Sequence, residues 1–435
     1  MKLKGLKADI SRRKFITITG IAATAGLAPK QILAAENVSQ AVDVKPAVLA
    51  DKPMAAPVNS IAEIIESKTI CIEPGLYLAD NGYELDANGH MVPKSRVVEP
   101  NRYLGWPTIV KTKQGRLMVV FSGDRDSHIC PYGKTHVITS DDNGKTWSEP
   151  EIINNTPLDD RDAGIIQTKK GTLVVSWFTS LVFAGKHATK GGPPVFSKYA
   201  RIAEKIPAET KKQWLGNWTR RSEDMGKTWE EPVRTTGTAP HGPISLKNGN
   251  LLYVSTGFWE GKPSMIAERS TDDGKSWKVI GRLPNNEYPI TTMSEPHVVE
   301  LSSGKLIAMI RNEPADVSKK FLLQSESIDG GKTWTGMKST GIWGYPPHLI
   351  QLKNGWLLVA YGCRRVPYGE RACISKDEGK TWDIANEINL SNAPSPDLGY
   401  PASVQLDDGS IYTVFYQAPK LGEPACIMST HWKLI

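Results

Sequence analysis

Six stretches of the chain alternate apolar and polar residues on either side of a short polar turn containing glycine: WPTIVKTKQGRLMVVF (106–121), DAGIIQTKKGTLVVSW (162–177), PHGPISLKNGNLLYVS (240–255), EPHVVELSSGKLIAMI (295–310), PPHLIQLKNGWLLVAY (346–361) and YPASVQLDDGSIYTVF (400–415). A two-residue period on both sides of a glycine turn predicts a β-hairpin in each. The first five are followed by an octapeptide of the form Ser-x-Asp-x-Gly-x-Thr/Ser-Trp, at 140–147, 222–229, 270–277, 327–334 and 375–382. Each octapeptide closes a second hairpin, so that each unit forms one four-stranded sheet. Six sheets of this length predict a six-bladed, all-β propeller.

The repeated residues are those a turn needs. Glycine at the fifth position suits a left-handed turn residue, aspartate at the third accepts from turn amides, and the hydroxyl and tryptophan tie the turn down. Chemistry would not be needed five times around a ring, so the octapeptide is read as structural. The sixth unit lacks it and ends after about three strands. A strand around Thr69–Tyr77 is expected to complete that blade, because an open edge is a liability. Successive tryptophans of the octapeptides lie 82, 48, 57 and 48 residues apart. The excess falls within 180–218, where FSKYARIAEKIPAETKKQW has helical composition. It predicts a small helical insertion in blade two, beside the site.

Charge changes the picture at one end only. The formal net charge is +7, and +6 of it lies in residues 1–35. The remainder offers no basic field for nucleic acid. Paired arginines in SRRKFI, a modest apolar run and the small residues LAA read as a twin-arginine signal peptide over 1–35, which implies the Tat export machinery as a partner and a periplasmic or secreted protein. Residues 36–60, rich in Ala, Pro and Val without periodicity, read as a flexible linker, and 61–435 as the propeller. No integral membrane segment is expected in the mature chain. The five cysteines form no CxxC pair, and their odd number and wide spacing favour buried thiols over disulfides. Neither a metal nor another cofactor is expected.

Aligning the hairpins on their turn glycines sets a register. Nine residues upstream stand Trp106, Asp162, Pro240, Glu295, Pro346 and Tyr400, with Arg161, His241, His297, Tyr345 and His348 beside them. Innermost strands of a propeller begin at one end of the central channel, so these residues are expected to ring one funnel. GDRDSH at 123–128 brings Arg125, Asp126 and His128 to the end of a neighbouring strand. Arg311, Arg364, Arg365 and Arg371 follow in blades four and five. Several arginines aimed at one funnel imply an anionic ligand.

The octapeptides resemble the Asp boxes, or BNR repeats, of the sialidase superfamily, and the resemblance spans roughly residues 95–435. SEPHVVELSSGKLIAMIRN resembles the sialidase segment carrying a catalytic glutamate and a carboxylate-binding arginine, which implies those roles for Glu295 and Arg311. GERACISKDEGKTW implies a second such arginine at Arg371, and GYPASVQLDDGSIYTVFY a nucleophilic tyrosine at Tyr400. Sialidases are the exception to the two-carboxylate rule, because an anionic nucleophile is repelled by the sugar's own carboxylate. Two positions depart from the family. LGWP puts Gly105 where an arginine of the triad is expected, and the general acid has no clean match, with Asp124, Asp126, Asp162 and His128 as candidates. Arg125, Arg161, His128, His241, His297 and His348 complete the expected substrate-binding set. The resemblance implies an exported exo-glycoside hydrolase that releases a terminal anionic sugar, sialic acid or a relative, from a glycan with retention. A polysaccharide lyase acting on uronic-acid polymers and a non-catalytic carbohydrate-binding propeller are the alternatives.

Overall fold

The computed structural model of the chain describes residues 60–77, 83–85, 91–93, 97–184 and 194–435. The leader read at 1–35 and the linker read at 36–60, save Ser60, lie outside these residues. Each of the six glycine-turn hairpins forms as the alternation dictates, and each turn glycine takes a left-handed φ, from 86° at Gly355 to 101° at Gly171. The hairpins supply the two innermost strands of six antiparallel sheets. Blade one is built on Val97–Lys111, Leu117–Arg125, Lys134–Ser140 and Glu151–Asn154, with Glu73–Tyr77 added at its inner edge. Blades two to five start at Asp159–Gln167, Ile244–Ser245, Met293–Glu300 and Pro347–Gln351. Blade six holds Leu398–Gln405, Ile411–Gln417 and Cys426–Leu434.

The fourth strand of blade six comes from the start of the described chain. Ala62–Cys71 pairs antiparallel with Cys426–Leu434, from Ala62 opposite Leu434 to Cys71 opposite Ile427. The ring therefore closes with an N-terminal strand, displaced from the expected 69–77. Glu73–Tyr77 pairs instead with Val97–Arg102 of blade one. The apolar alternation of 62–71 is weak because half of its residues stay exposed at the outer edge, so periodicity gives little signal there.

All five octapeptides make the same bonds. In the first, Ser140 Oγ donates to Asp142 (2.8 Å) and accepts from the Gly144 amide (2.9 Å), while Asp142 accepts from the amide of Thr146 (2.9 Å) and its hydroxyl (2.6 Å). Asp329 repeats this with Ser327 and Thr333. The turns also join blades: Trp277 Nε1 donates to Thr219 of blade two and Trp382 Nε1 to Gln324 of blade four. A second set of latches lies at the glycine turns. Backbone amides of Lys113, Ser302 and Lys353 each donate to a glutamine of the next blade, Gln167, Gln351 and Gln405, at 2.7–2.8 Å.

These turns carry an acid sensitivity. Hydrogen bonds from the Thr146, Thr228 and Thr381 groups hold Asp142, Asp224 and Asp377 down at about 2, with burial opposing at Asp377. A depressed carboxylate stabilises the fold above its unfolded pKa, and that contribution fades as pH falls through the folded value. Thermal stability is expected to drop cooperatively between about pH 4 and pH 2, and Asp329→Ala to blunt the drop while lowering stability at neutral pH. A melting temperature flat across that window would contradict this reading of the turns.

The insertion in blade two is helical, as expected. Helix α1 spans Pro194–Lys205 and α2 Ala208–Trp214. Tyr199, Ile202, Ala203 and Ile206 bury against Cys130, Tyr132, Leu158 and Phe183, so the insertion clamps the loop that follows the second strand of blade one. All five cysteines are buried and no disulfide joins them.

Candidate active site

Four of the six register positions share an unusual backbone. Trp106, Asp162, Glu295 and Tyr400 have φ of 56°, 50°, 51° and 55°. At each, two residues of the innermost strand oppose one of its neighbour. Glu295 and Pro296 lie between the pairs Ser294–Arg311 and His297–Met309, and Tyr400 and Pro401 between Gly399–Tyr416 and Ala402–Val414. Such bulges re-aim side chains. A left-handed non-glycine residue costs about 1–3 kcal/mol, and a strained residue of this kind persists only where its surroundings over-determine it. Four equivalent bulges at one end of one channel therefore mark a built site.

The Tyr400 hydroxyl donates to Glu295 Oε1 at 2.6 Å. Arg311 Nη1 donates to Glu295 Oε2 at 2.5 Å and lies 3.5 Å from the Tyr400 oxygen. Arg311 also bonds Glu313, which takes Lys320 Nζ at 3.0 Å, and its guanidinium lies 4.3 Å over the Tyr345 ring. Burial and the Glu295 carboxylate push the Tyr400 phenol well above its ordinary value. The phenol is therefore protonated at rest, and a base already in contact must take its proton for the oxygen to attack.

Asp162 completes the group. Burial, reinforced by the charge of Glu295 and opposed by Arg161, raises its carboxyl to about 7. Its Oδ1 is buried without a hydrogen-bond partner. A carboxyl raised to about 7 keeps its proton well above the usual carboxylate range, which is the pattern of an acid set beside a second carboxyl group.

Several expected members fall elsewhere. Arg371 is 1% exposed, and its guanidinium is used by the carbonyls of Glu370, Ser391 and Pro367 and by Asn389. The second arginine of the site is Arg364. It donates to the Leu398 carbonyl and to Tyr416, and lies 5.4 Å from the Tyr345 ring and 6.0 Å from the Tyr400 ring. Glu370 and Arg371 are neighbours on one strand and point to opposite faces, and the buried Glu370 carboxyl feels the charges of both Arg364 and Arg371. Asp126 bonds Tyr199 at 3.3 Å under α1, and Asp124 pairs with Lys134 at 2.5 Å.

Arg125 and Arg161 lie beside the site and are buried, at 0% and 2% exposed. Arg125 holds Asp159 at 2.6 and 3.2 Å, and both guanidiniums stack on Trp106 at 4.7 and 4.3 Å. These contacts fix the Trp106 ring. His241, His297 and His348 pack on one another at centroid distances of 4.4–5.6 Å, one step further along the channel. Backbone amides of Leu349 and Ser403 donate to Nδ1 of His297 and His348, and burial holds all three imidazoles neutral, His297 at about 3. These rings border a cavity of about 660 Å³ at the glycine-turn end of the channel. They plug the channel beneath the Tyr400 cluster.

His128 does join the site, edge-on to Trp106 at 5.0 Å. Around it stand Tyr103, Asp397 and Tyr416, which the register did not single out, because two lie on second-rank positions and Asp397 precedes the strand. Glu313 was also missed; it stands one residue past the strand that carries Arg311, two residues on from it, so that extended backbone puts both on one side.

Comparison with known proteins agrees with this fold. Residues 203–413 match the model of a BNR repeat-like domain and residues 138–149 that of a BNR/Asp-box repeat. Over 197 residues the chain is 27% identical to xyloglucanase Xgh74A of Acetivibrio thermocellus, covering 39% of this chain and 21% of that protein. The chain thus spans about a fifth of the length of that curated relative. A protein of unknown function from Dyadobacter fermentans superposes with a TM-score of 0.64 at 22% identity, over 86% of this chain and 100% of the other. The NanB sialidase of Streptococcus pneumoniae superposes with a TM-score of 0.56 at 15% identity, over 83% and 70%. Five Asp-box turns, matching repeat models and shared architecture together make this chain a six-bladed propeller with BNR/Asp-box repeats, similar in fold to sialidases.

Proposed function

We propose that the protein is a retaining exo-glycoside hydrolase acting on a terminal anionic sugar, sialic acid or a relative. The observation that carries this reading is the contact between the Tyr400 hydroxyl and Glu295 at 2.6 Å, with Arg311 bridging both. Tyr400 attacks the anomeric carbon while Glu295 takes its proton, and Asp162 protonates the leaving oxygen. Arg364 forms no ion pair with a carboxylate among the described residues, and it faces the substrate's anionic group. Names borne by proteins of similar architecture, among them sialidases, an α-L-arabinanase and a xyloglucanase, support glycoside chemistry as the class. The twin-arginine leader supports action outside the cytoplasm.

The test is incubation of purified protein with a glycan panel and identification of any monosaccharide released. Release of an anionic monosaccharide with a retained anomer is the expected result. An unsaturated product absorbing in the ultraviolet would replace the hydrolase by a lyase. The acid also sets a pH limb. Asp162 must be protonated to act, so kcat is expected to fall as pH rises through about 7. In Asp162→Asn that alkaline limb should vanish while activity drops by about 10²–10⁴-fold. An unchanged limb in the variant would assign the proton to another group.

A further inference from the structure

One cluster at the site takes no part in the steps above. Asp397 Oδ1 accepts from Tyr103 at 3.0 Å and from Tyr416 at 3.1 Å, and lies 3.3 Å from His128 Nδ1. Tyr103 Oη lies 2.9 Å from the same Nδ1. A phenol has one proton, and Tyr103 gives it to Asp397. The contact with His128 therefore requires the hydrogen to be on Nδ1, which donates to Tyr103 and Asp397. That leaves Nε2 with its lone pair. No group of the described chain bonds Nε2, and the side chain is 16% exposed. The loop holding His128 is itself fixed, since Arg125 and Arg161 both donate to the His128 carbonyl, at 3.0 and 3.3 Å. A carboxylate orienting one imidazole nitrogen so that the other presents a lone pair is the arrangement of a general base.

We propose, resting on the hydrolase reading, that His128 is the base that activates the hydrolytic water, with Asp397 as its positioning residue. The two halves of the reaction then use different proton carriers. In the first, Asp162 gives its proton to the leaving oxygen as Tyr400 bonds to the anomeric carbon and its phenolic proton passes to Glu295. In the second, His128 Nε2 takes a proton from water and the water oxygen bonds to the anomeric carbon. The bond from that carbon to the Tyr400 oxygen breaks, its electron pair stays on the phenolic oxygen, and Glu295 returns the proton. The proton on His128 then passes through solvent to the Asp162 carboxylate, which restores the starting state. The two carriers come from different blades: Asp162 stands on blade two, within the charge field of Glu295 from blade four, whereas His128 stands with Trp106 and the Tyr103, Tyr416 and Asp397 group of blades one and six.

The charged groups around His128 set its pH behaviour. Burial lowers its pKa, Asp397 raises it, and Arg161 and Arg364 lower it, with Arg125 at its carbonyl. Asp397 stays charged: burial opposes this, but hydrogen bonds from His128 and Tyr103 and the Arg364 charge hold it at about 2. Removing its charge therefore lowers the basicity of His128.

The test uses the full chain and the 4-methylumbelliferyl glycosides of N-acetylneuraminic acid, glucuronic acid and L-arabinofuranose. With the glycoside that wild-type protein hydrolyses, His128→Gln is expected to release one equivalent of fluorophore per protein in a burst. Steady turnover should then be slowed by about 10²–10⁴-fold. Mass spectrometry should find the glycosyl group retained on Tyr400, and azide should restore turnover as glycosyl azide. Asp397→Asn should slow turnover and shift the acid limb of kcat to lower pH, a shift that loss of a merely structural contact would not give. If wild-type protein turns over a glycoside but His128→Gln shows neither burst nor retained sugar, His128 is not this base and the hydrolase reading stands. If wild-type protein hydrolyses none of the three, that reading falls and this step with it. Should His128→Gln fail to fold, the acid limb of Asp397→Asn decides: a shift to lower pH supports the role, and an unmoved limb overturns it.

Discussion

Replacing Tyr400 with phenylalanine is expected to abolish turnover, by at least about 10³-fold in kcat, while leaving the fold intact. The substitution removes one oxygen and keeps the ring. That ring packs in the cluster with Trp106, Leu104 and Tyr416, so the packing term is retained. What is lost is the donor to Glu295 and the neighbour of Arg311. A buried phenol held well above its ordinary pKa has no packing reason to sit against a carboxylate in a strained backbone conformation. The proposed nucleophilic role gives it that reason. The measurement is kcat on the best glycoside of the panel, together with thermal unfolding. A Tyr400→Phe variant retaining a tenth or more of wild-type turnover would remove the nucleophile.

Arg311→Met is expected to damage both stability and activity. Arg311 is 1% exposed, and two carboxylates, Glu295 and Glu313, depend on it. Burial alone would raise Glu313, but the charges of Arg311 and Lys320 hold it at about 2. Taking away the guanidinium leaves two carboxylates on one side of the site with only Lys320 opposite. Breaking a buried ion pair by removing one partner costs about 3–5 kcal/mol, which guanidinium denaturation would read directly. The double variant Arg311→Met, Glu313→Gln should recover part of that loss and none of the activity, because Glu295 still lacks its partner. Equal stability of wild type and Arg311→Met would mean that the pair is solvated and the site more open than described here.

Much of this was legible in the residues. Six glycine turns and five octapeptides fix the blade count, and the register on those glycines brings Asp162, Glu295 and Tyr400 to equivalent positions at one end of the channel. Register works because strand period is two and the turn length is constant. It fails where geometry depends on a neighbouring strand. Arg371 lies on the third strand of blade five, opposite Tyr361, whereas Arg364 follows the second strand, in the connection, where strand period places no side chain. Arg125 and Arg161 look like ligand-binding arginines in sequence, yet the flat ring of Trp106 accepts both of them. The histidines of blades three to five occupy the position next to the ring, but one step along a narrow channel is enough to bury them against each other. Asp397 carries no pattern at all: it lies in the connection entering blade six, and its role comes from three donors that converge only in the folded chain.

In the proposed reaction Tyr400 forms a bond to the sugar. A glycosyl fluoride bearing a second fluorine beside the anomeric carbon slows loss of the sugar from the enzyme, so that the intermediate accumulates. Peptide mapping of protein treated with such a reagent, in the sugar series the panel identifies, should find a single glycosyl group on Tyr400. Wild-type protein that turns over the parent glycoside yet carries the label on Glu295 or Asp162, or stays unlabelled on Tyr400, would contradict it.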